Sequence, residues 1–278
     1  SADVAAFDFA LEQGAWVVNN SWGFTNPMPA PADLARAIQR VATEGREGKG
    51  ALVVFAVGND SRRLGNDELP GLPGVLGVGA TNLRNELTQF SNSGRAVDVV
   101  APTGTLAPDL VGADGDDPGD YTVHFGGTSS AAPVVSGLAG LLLAAAPDRT
   151  SQAIHDALTD TAQQSLFAAE LAADGHDPEY GFGVVRPAHA LRALLGLPEP
   201  GEEPDAGPPD AALGDQGLAD GAVGDGGLAD ASAADGGPQN AKPAATSDGC
   251  EASGGPGGWG ALLLIPWALG RRRRRRPD

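Results

Sequence analysis

The chain has 278 residues, with 36 acidic against 18 basic side chains and a formal net charge of −18. Residues 1–197 hold 23 acidic and 11 basic groups, residues 199–251 hold 12 acidic groups and Lys242 alone, and six arginines run from Arg271 to Arg276. The part able to fold carries no basic stripe, which excludes nucleic acid as a partner, and the single cysteine, Cys250, excludes a disulfide within the chain.

Val4, Phe7 and Leu11 share one helical face, and Gly14 is placed to close that helix. Ser1 is not an initiator methionine and the chain opens inside this helix, so we expect further protein upstream. Trp16-Val17-Val18 predicts a short strand leading into Asn20-Ser21-Trp22-Gly23. A helix is predicted over residues 32–44, with Leu34, Ile38 and Val41 inward. The run from Ala51 to Val57 is apolar without alternation, which suits a strand buried on both faces of a parallel sheet. Further strands are predicted at residues 74–81 and 96–100.

A long Gly- and Asp-rich loop occupies residues 102–125, followed by Gly126-Gly127-Thr128-Ser129-Ser130-Ala131-Ala132-Pro133. An apolar helix over residues 134–146 reads as central, a further helix covers 151–161, and the domain closes with Tyr180 to Val185 and a last helix to Leu195. Alternating strands and helices predict an α/β layered fold with a mostly parallel sheet. Three regions result: a folded domain over 1–197, a Gly/Ala/Asp/Pro linker over 198–247 and a tail over 248–278. The linker has too few large apolar residues to offset the entropy of ordering. Its aspartates recur every fifth residue from Asp205 to Asp235. A calcium site needs oxygens converging in a rigid loop, so we read them as a solubilising spacer.

A serine hydroxyl needs a base, an orienting group and donors aimed at the developing oxyanion. Gly126-Gly127-Thr128-Ser129 has the composition to present such a serine, because glycine permits a sharp turn and close approach of a substrate chain. At the start of a helix the Ser129 N–H lacks an intrahelical acceptor and the helix dipole favours a negative oxygen. The same residues also suit a simple N-cap by Thr128 or Ser129. Ala56-Val57-Gly58-Asn59 ends the buried strand, and ligands in parallel sheets bind at such carboxyl ends. Asn59 can aim its amide at the place the Ser129 N–H faces. Paired with the serine motif, it reads as functional rather than as a turn residue.

These segments, with Val17 to Gly23, Val54 to Asn59, Val78-Gly79-Ala80, Phe90 to Gly94, Val97 to Pro102 and Gly127 to Pro133, resemble the subtilase (subtilisin-like) serine proteases. The resemblance covers about Val4 to Leu195 and implies the three-layer subtilisin-like fold, N-terminally truncated. It implies Ser129 as nucleophile and Asn59 as side-chain donor of an oxyanion hole. Ser21, Trp22 and Gly23 resemble the edge that pairs with substrate backbone, and Ala56, Val57 and Gly58 resemble a wall of the specificity pocket, with Gly127 and Thr128 beside it. Trp22 either shapes a neighbouring subsite or packs. Phe90-Ser91-Asn92 and Asp98 read as structural. Ser130 stands where many members carry Met.

The family's triad also needs an Asp and a His. His124, His155, His176 and His189 all follow Asn59, and none has the glycine-flanked setting of the catalytic base. His124 lies five residues before Ser129 but in a variable loop, and we do not read it as catalytic. The expected activity is therefore a serine endopeptidase acting through an acyl-enzyme, with this chain inactive alone. A catalytically dead domain serving as a surface peptide-binding module is the rival. No cofactor is required, and structural calcium rests on family resemblance alone. Polypeptide is the expected substrate and the protein is expected to be a monomer.

In the tail, Cys250, a Gly-rich stretch, a short apolar helix from Trp259 to Gly270 and the arginine cluster resemble the MYXO-CTERM sorting signals of myxobacteria. That resemblance implies a bacterial protein exported to the cell surface or outer membrane, handled by sorting machinery at Cys250. A permanent membrane anchor is the alternative.

Overall fold

The computed structural model describes residues 1–198 except 25, 105, 113 and 165–170, together with residues 262–264. The linker beyond Pro198, Cys250 and the arginine cluster lie outside the described residues.

Four strands form a parallel sheet: β1 (Val17–Asn20), β2 (Leu52–Ala56), β3 (Val75–Thr81) and β4 (Val99–Pro102), in the spatial order β4-β3-β2-β1. Their registers pair Val17 with Leu52, Val53 with Val75 and Val78 with Val99. β2 and β3 are buried along their whole length, as expected of strands covered on both faces. One face packs on α1 (Ala2–Glu12) and α2 (Ala32–Gly48) through Phe7, Leu34, Ile38, Val53 and Phe55. The other packs on α3 (Thr128–Ala145), α4 (Ser151–Asp160) and α5 (Pro187–Leu195) through Val54, Val78, Val135, Leu142 and Leu158. The result is an α/β/α three-layer domain.

Helix α1 starts at Ser1, whose hydroxyl accepts from Val4 N–H at 3.4 Å, and Gly14 beyond it takes φ +67°. The regular part of α2 stops at Glu44, since Gly45, Arg46 and Glu47 leave helical geometry. Arg46 then turns inward over the Trp16 ring and donates to the carbonyls of Gly50, Pro147 and Arg149 at 2.7–3.0 Å. Burial among these groups lowers its pKa from the ordinary arginine value.

Several expectations need correction. β4 begins three residues later than predicted, because Ala96 and Val97 pack beneath the sheet edge with Tyr180 and Val184. The long loop contains a small antiparallel ladder, β5 (Ala107–Pro108) with β6 (Tyr121–Thr122). α3 starts at Thr128, six residues before the range predicted for the apolar helix but at the helix start that the serine motif gave Ser129, and carries Pro133 inside it. In the tail, an apolar helix was expected over Trp259 to Gly270. Leu262–Leu264 instead form β7, paired antiparallel with β1 through Val18–Leu264, Asn19–Leu263 and Asn20–Leu262. The backbone groups on the outer edge of β1 thus have a ladder partner.

α3 has 18 residues of mean hydropathy 1.5 and is long and apolar enough to cross a bilayer. It lies across β1, β2, β3 and β4, with most of its surface buried.

Candidate active site

The carboxyl ends of β1 and β2 lie side by side, with Asn20 paired to Phe55. The two segments that follow, Ser21–Gly23 and Val57–Asn59, therefore emerge at the same rim. Strand alternation sends the two asparagines of β1 to opposite faces. Asn20, fully buried, donates to the carbonyl of Val54 at 3.1 Å and accepts from Trp22 Nε1 at 3.1 Å. Asn19 donates to Ser21 Oγ at 3.0 Å, and its carbonyl lies 2.9 Å from Ser136 Oγ of α3.

The N-terminus of α3 meets this rim. Gly127 precedes the helix at φ +71°, and a Cβ there would lie 2.9 Å from Asn59 Nδ2. No side chain caps α3, so neither Thr128 nor Ser129 is the N-cap that the sequence also allowed. Thr128 instead ties the helix to β2. Its N–H donates to Asn59 Oδ1 at 2.8 Å, its hydroxyl lies 3.0 Å from the same oxygen, and Gly58 N–H donates to that hydroxyl at 3.1 Å. With Oδ1 held this way, Asn59 Nδ2 is the end of the amide left to face a ligand. Ser129 is the second residue of α3, where the helical ladder offers its N–H no acceptor.

Pro133 lacks an N–H, so the Ser129 carbonyl has no donor from its own helix. Ser21 Oγ supplies one at 2.9 Å. The proline in α3, the serine after β1 and the asparagine within β1 thus form one device that fixes the backbone of Ser129. Ser129 Oγ itself lies 3.5 Å from the Ser21 carbonyl.

Ser21, Trp22, Gly23, Ala56, Val57, Gly58, Asn59, Thr128 and Ser129 line one cavity of about 110 Å³. Gly127 sits against Asn59 at its edge. Trp22 does both things the sequence left open: it lines this cavity and packs edge-on against Phe55 and Phe24. The sequence reading missed the charged part of the lining, Asp60, Arg62 and Glu68, and its apolar part, Phe24, Met28, Leu64, Leu69 and Pro70; Asn92, read there as structural, lines the cavity too. Charged residues just beyond a buried strand end were the available signal.

Asn92 is buried and organises the turn after Asn59. It donates to the carbonyl of Val57 at 2.9 Å and accepts from the N–H groups of Asp60 and Arg62 at 3.0 and 3.1 Å. Gly58, at φ +95°, leaves room for it, since a Cβ there would stand 2.6 Å from Asn92 Nδ2.

The histidines lie elsewhere. His124 is exposed, 3.3 Å from Asp117. His155 lies 3.9 Å from Asp98, His176 Nε2 bonds the Val97 carbonyl at 2.7 Å, and His189 contacts Arg186. Asp98 accepts from Gly77 N–H at 2.7 Å, and burial pushes its carboxyl up to about 6 against the opposing pull of His155. Among the described residues no group of three or more His, Cys, Asp or Glu side chains converges in a way that could hold a metal ion.

A three-layer parallel α/β domain with a helix N-terminus and an asparagine meeting at one rim defines a class, and the comparisons name it. The subtilase family (Peptidase S8) matches residues 1–183. The chain belongs to that family. It is 28% identical over 228 residues to a calcium-dependent protease of Nostoc sp., covering 70% of this chain and 34% of that protein. It is 32% identical over 190 residues to a probable subtilase-type serine protease of Deinococcus radiodurans, covering 64% and 24%. The chain thus spans about a third or less of these relatives' length. Among solved structures, the prenylagaramide maturation protease PagA superposes with TM-score 0.55 at 27% identity, covering 70% of this chain and 67% of that one.

Proposed function

We propose that the chain supplies the nucleophile and oxyanion hole of an exported serine endopeptidase. The observation that carries this reading is the meeting of Ser129 and Asn59 on one cavity, with Thr128 bonded to Asn59. A peptide laid along Ser21–Gly23 as an added strand places its carbonyl between Ser129 Oγ and the two donors. Oγ attacks the carbonyl carbon as its proton passes to a base. The tetrahedral oxyanion is held by Asn59 Nδ2 and the Ser129 N–H at the positive end of α3. Collapse expels the amine, which takes up that proton, and leaves an acyl-serine that water then hydrolyses by the same steps.

The four histidines are engaged away from Ser129 Oγ. Triad catalysis at Ser129 therefore requires a base and an orienting Asp that the described residues do not supply. Without a base the same groove would still bind peptide, which is the rival reading. A fluorophosphonate probe separates the two when applied to the complete protein as its gene encodes it. Labelling of Ser129 supports the endopeptidase, and absence of labelling in a folded preparation supports the binding module. Export to the surface through the Cys250 tail, retained or removed there by sorting machinery, is part of the same proposal. Mass analysis of the C-terminus on intact cells tests it. The chemistry needs no cofactor, and no calcium is assigned to these residues.

A further inference from the structure

The cavity beside Ser129 has a mixed lining: apolar walls from Phe24, Met28, Leu64 and Leu69, and three charged residues, Asp60, Arg62 and Glu68. Glu68 is 9% exposed, and both of its oxygens are used. Arg62 Nη1 and Nη2 donate to them at 2.8 and 2.6 Å, and Gly65 N–H adds a bond at 2.7 Å. The Arg62 guanidinium holds the Glu68 carboxyl below the usual carboxylate range. This pair is bidentate and sealed by a backbone donor, which makes it a fixed wall rather than a mobile surface bridge.

Asp60 is placed differently. Its Oδ2 accepts from Asn92 Nδ2 at 3.0 Å and stands 3.8 Å from Arg62 Nε, while its side chain is 36% exposed. Two carboxylates share one guanidinium, which leaves the lining with one net negative charge, and Asp60, held at 3.8 Å by Arg62 without a bidentate bond, is the carboxylate a further cation can reach. An apolar side chain entering the cavity would strip water from Asp60 without replacing it, and an acidic one would add like-charge repulsion. A cationic side chain balances the one excess negative charge of the lining. The apolar walls suit an aliphatic stem, and Asp60 suits a charged end. The cavity opens directly beside Ser129 and Asn59, so it receives the side chain on the Cα bonded to the attacked carbonyl.

We propose that this pocket selects lysine or arginine on the acyl side of the scissile bond, with Asp60 as the partner of the cation and the Arg62–Glu68 pair as a preformed polar wall. The inference rests on the endopeptidase reading. It is tested on the complete protein with a peptide series differing only at the acyl-side residue: Lys, Arg, Leu or Glu. Cleavage after Lys or Arg should exceed cleavage after Leu at least tenfold in kcat/KM, and cleavage after Glu should be lowest. Asp60→Asn should collapse the Lys-to-Leu ratio at least fivefold. That ratio, taken within one preparation, cancels any change in folded fraction. Calorimetric titration with the product peptides ending in Lys or Leu gives a second readout that needs no turnover, and Lys should bind tighter. Leu cleaved or bound as well as Lys overturns the pocket assignment and leaves the endopeptidase intact. No cleavage of any peptide, with Lys still bound more tightly, removes the endopeptidase and keeps the pocket.

Discussion

Asn59 is held at one end of its amide: Oδ1 accepts from the Thr128 N–H at 2.8 Å, and Nδ2 is the donor that the proposed mechanism assigns to the oxyanion. Asn59→Ala should lower kcat of the complete protein roughly 10²–10³-fold, a magnitude carried over from a subtilisin's oxyanion-hole asparagine, with KM changed far less. A loss of KM alone would mean that Nδ2 binds the ground state. Asp98 makes a prediction of another kind. Its pKa of about 6 in the folded state lies above the ordinary value of 3.8, so the native state binds the extra proton between those pH values. Its contribution to stability is most favourable below about pH 4 and is lost as pH rises through about 6, by at most about 3 kcal/mol. Asp98→Asn keeps an oxygen for Gly77 N–H and removes the charge. The urea midpoint of the variant should gain on the wild type between pH 4 and pH 7. A difference that does not vary with pH would contradict this account.

At the scale of elements, the link between β1 and α3 is the most testable. Ser21 Oγ donates to the carbonyl that Pro133 leaves unpaired. Ser21→Ala should therefore cost about 1–3 kcal/mol, the price of a buried orphan acceptor. In a Pro133→Ala background the helix regains its own N–H donor, and the same substitution should cost distinctly less. A double-mutant cycle with no coupling would show that the two residues act independently. This link also marks where the sequence was legible. Apolar runs such as Leu52 to Ala56 fixed the buried strands because burial on both faces leaves no other composition. The serine motif placed Ser129 at a helix start, but the apolar range was begun at residue 134 because Pro133 reads locally as a helix boundary. The hairpin β5–β6 has two residues per strand and no period long enough to detect. The Asn59–Ser129 pair was legible through its motifs, whereas Asp60, Arg62 and Glu68 join the site only when the turn held by Asn92 folds back.

Across the whole molecule, four parallel strands bring two loops and one helix end to a single rim, and every proposed step uses groups from at least two of them. The most direct test is covalent. The complete protein is treated with a fluorophosphonate probe, digested and mapped by mass spectrometry, with the Asn59→Ala protein treated alongside. One adduct on the Ser129 peptide, formed much more slowly in the variant, is the predicted result. A folded protein that carries no adduct, or carries it on another residue, contradicts the assignment of Ser129 as nucleophile.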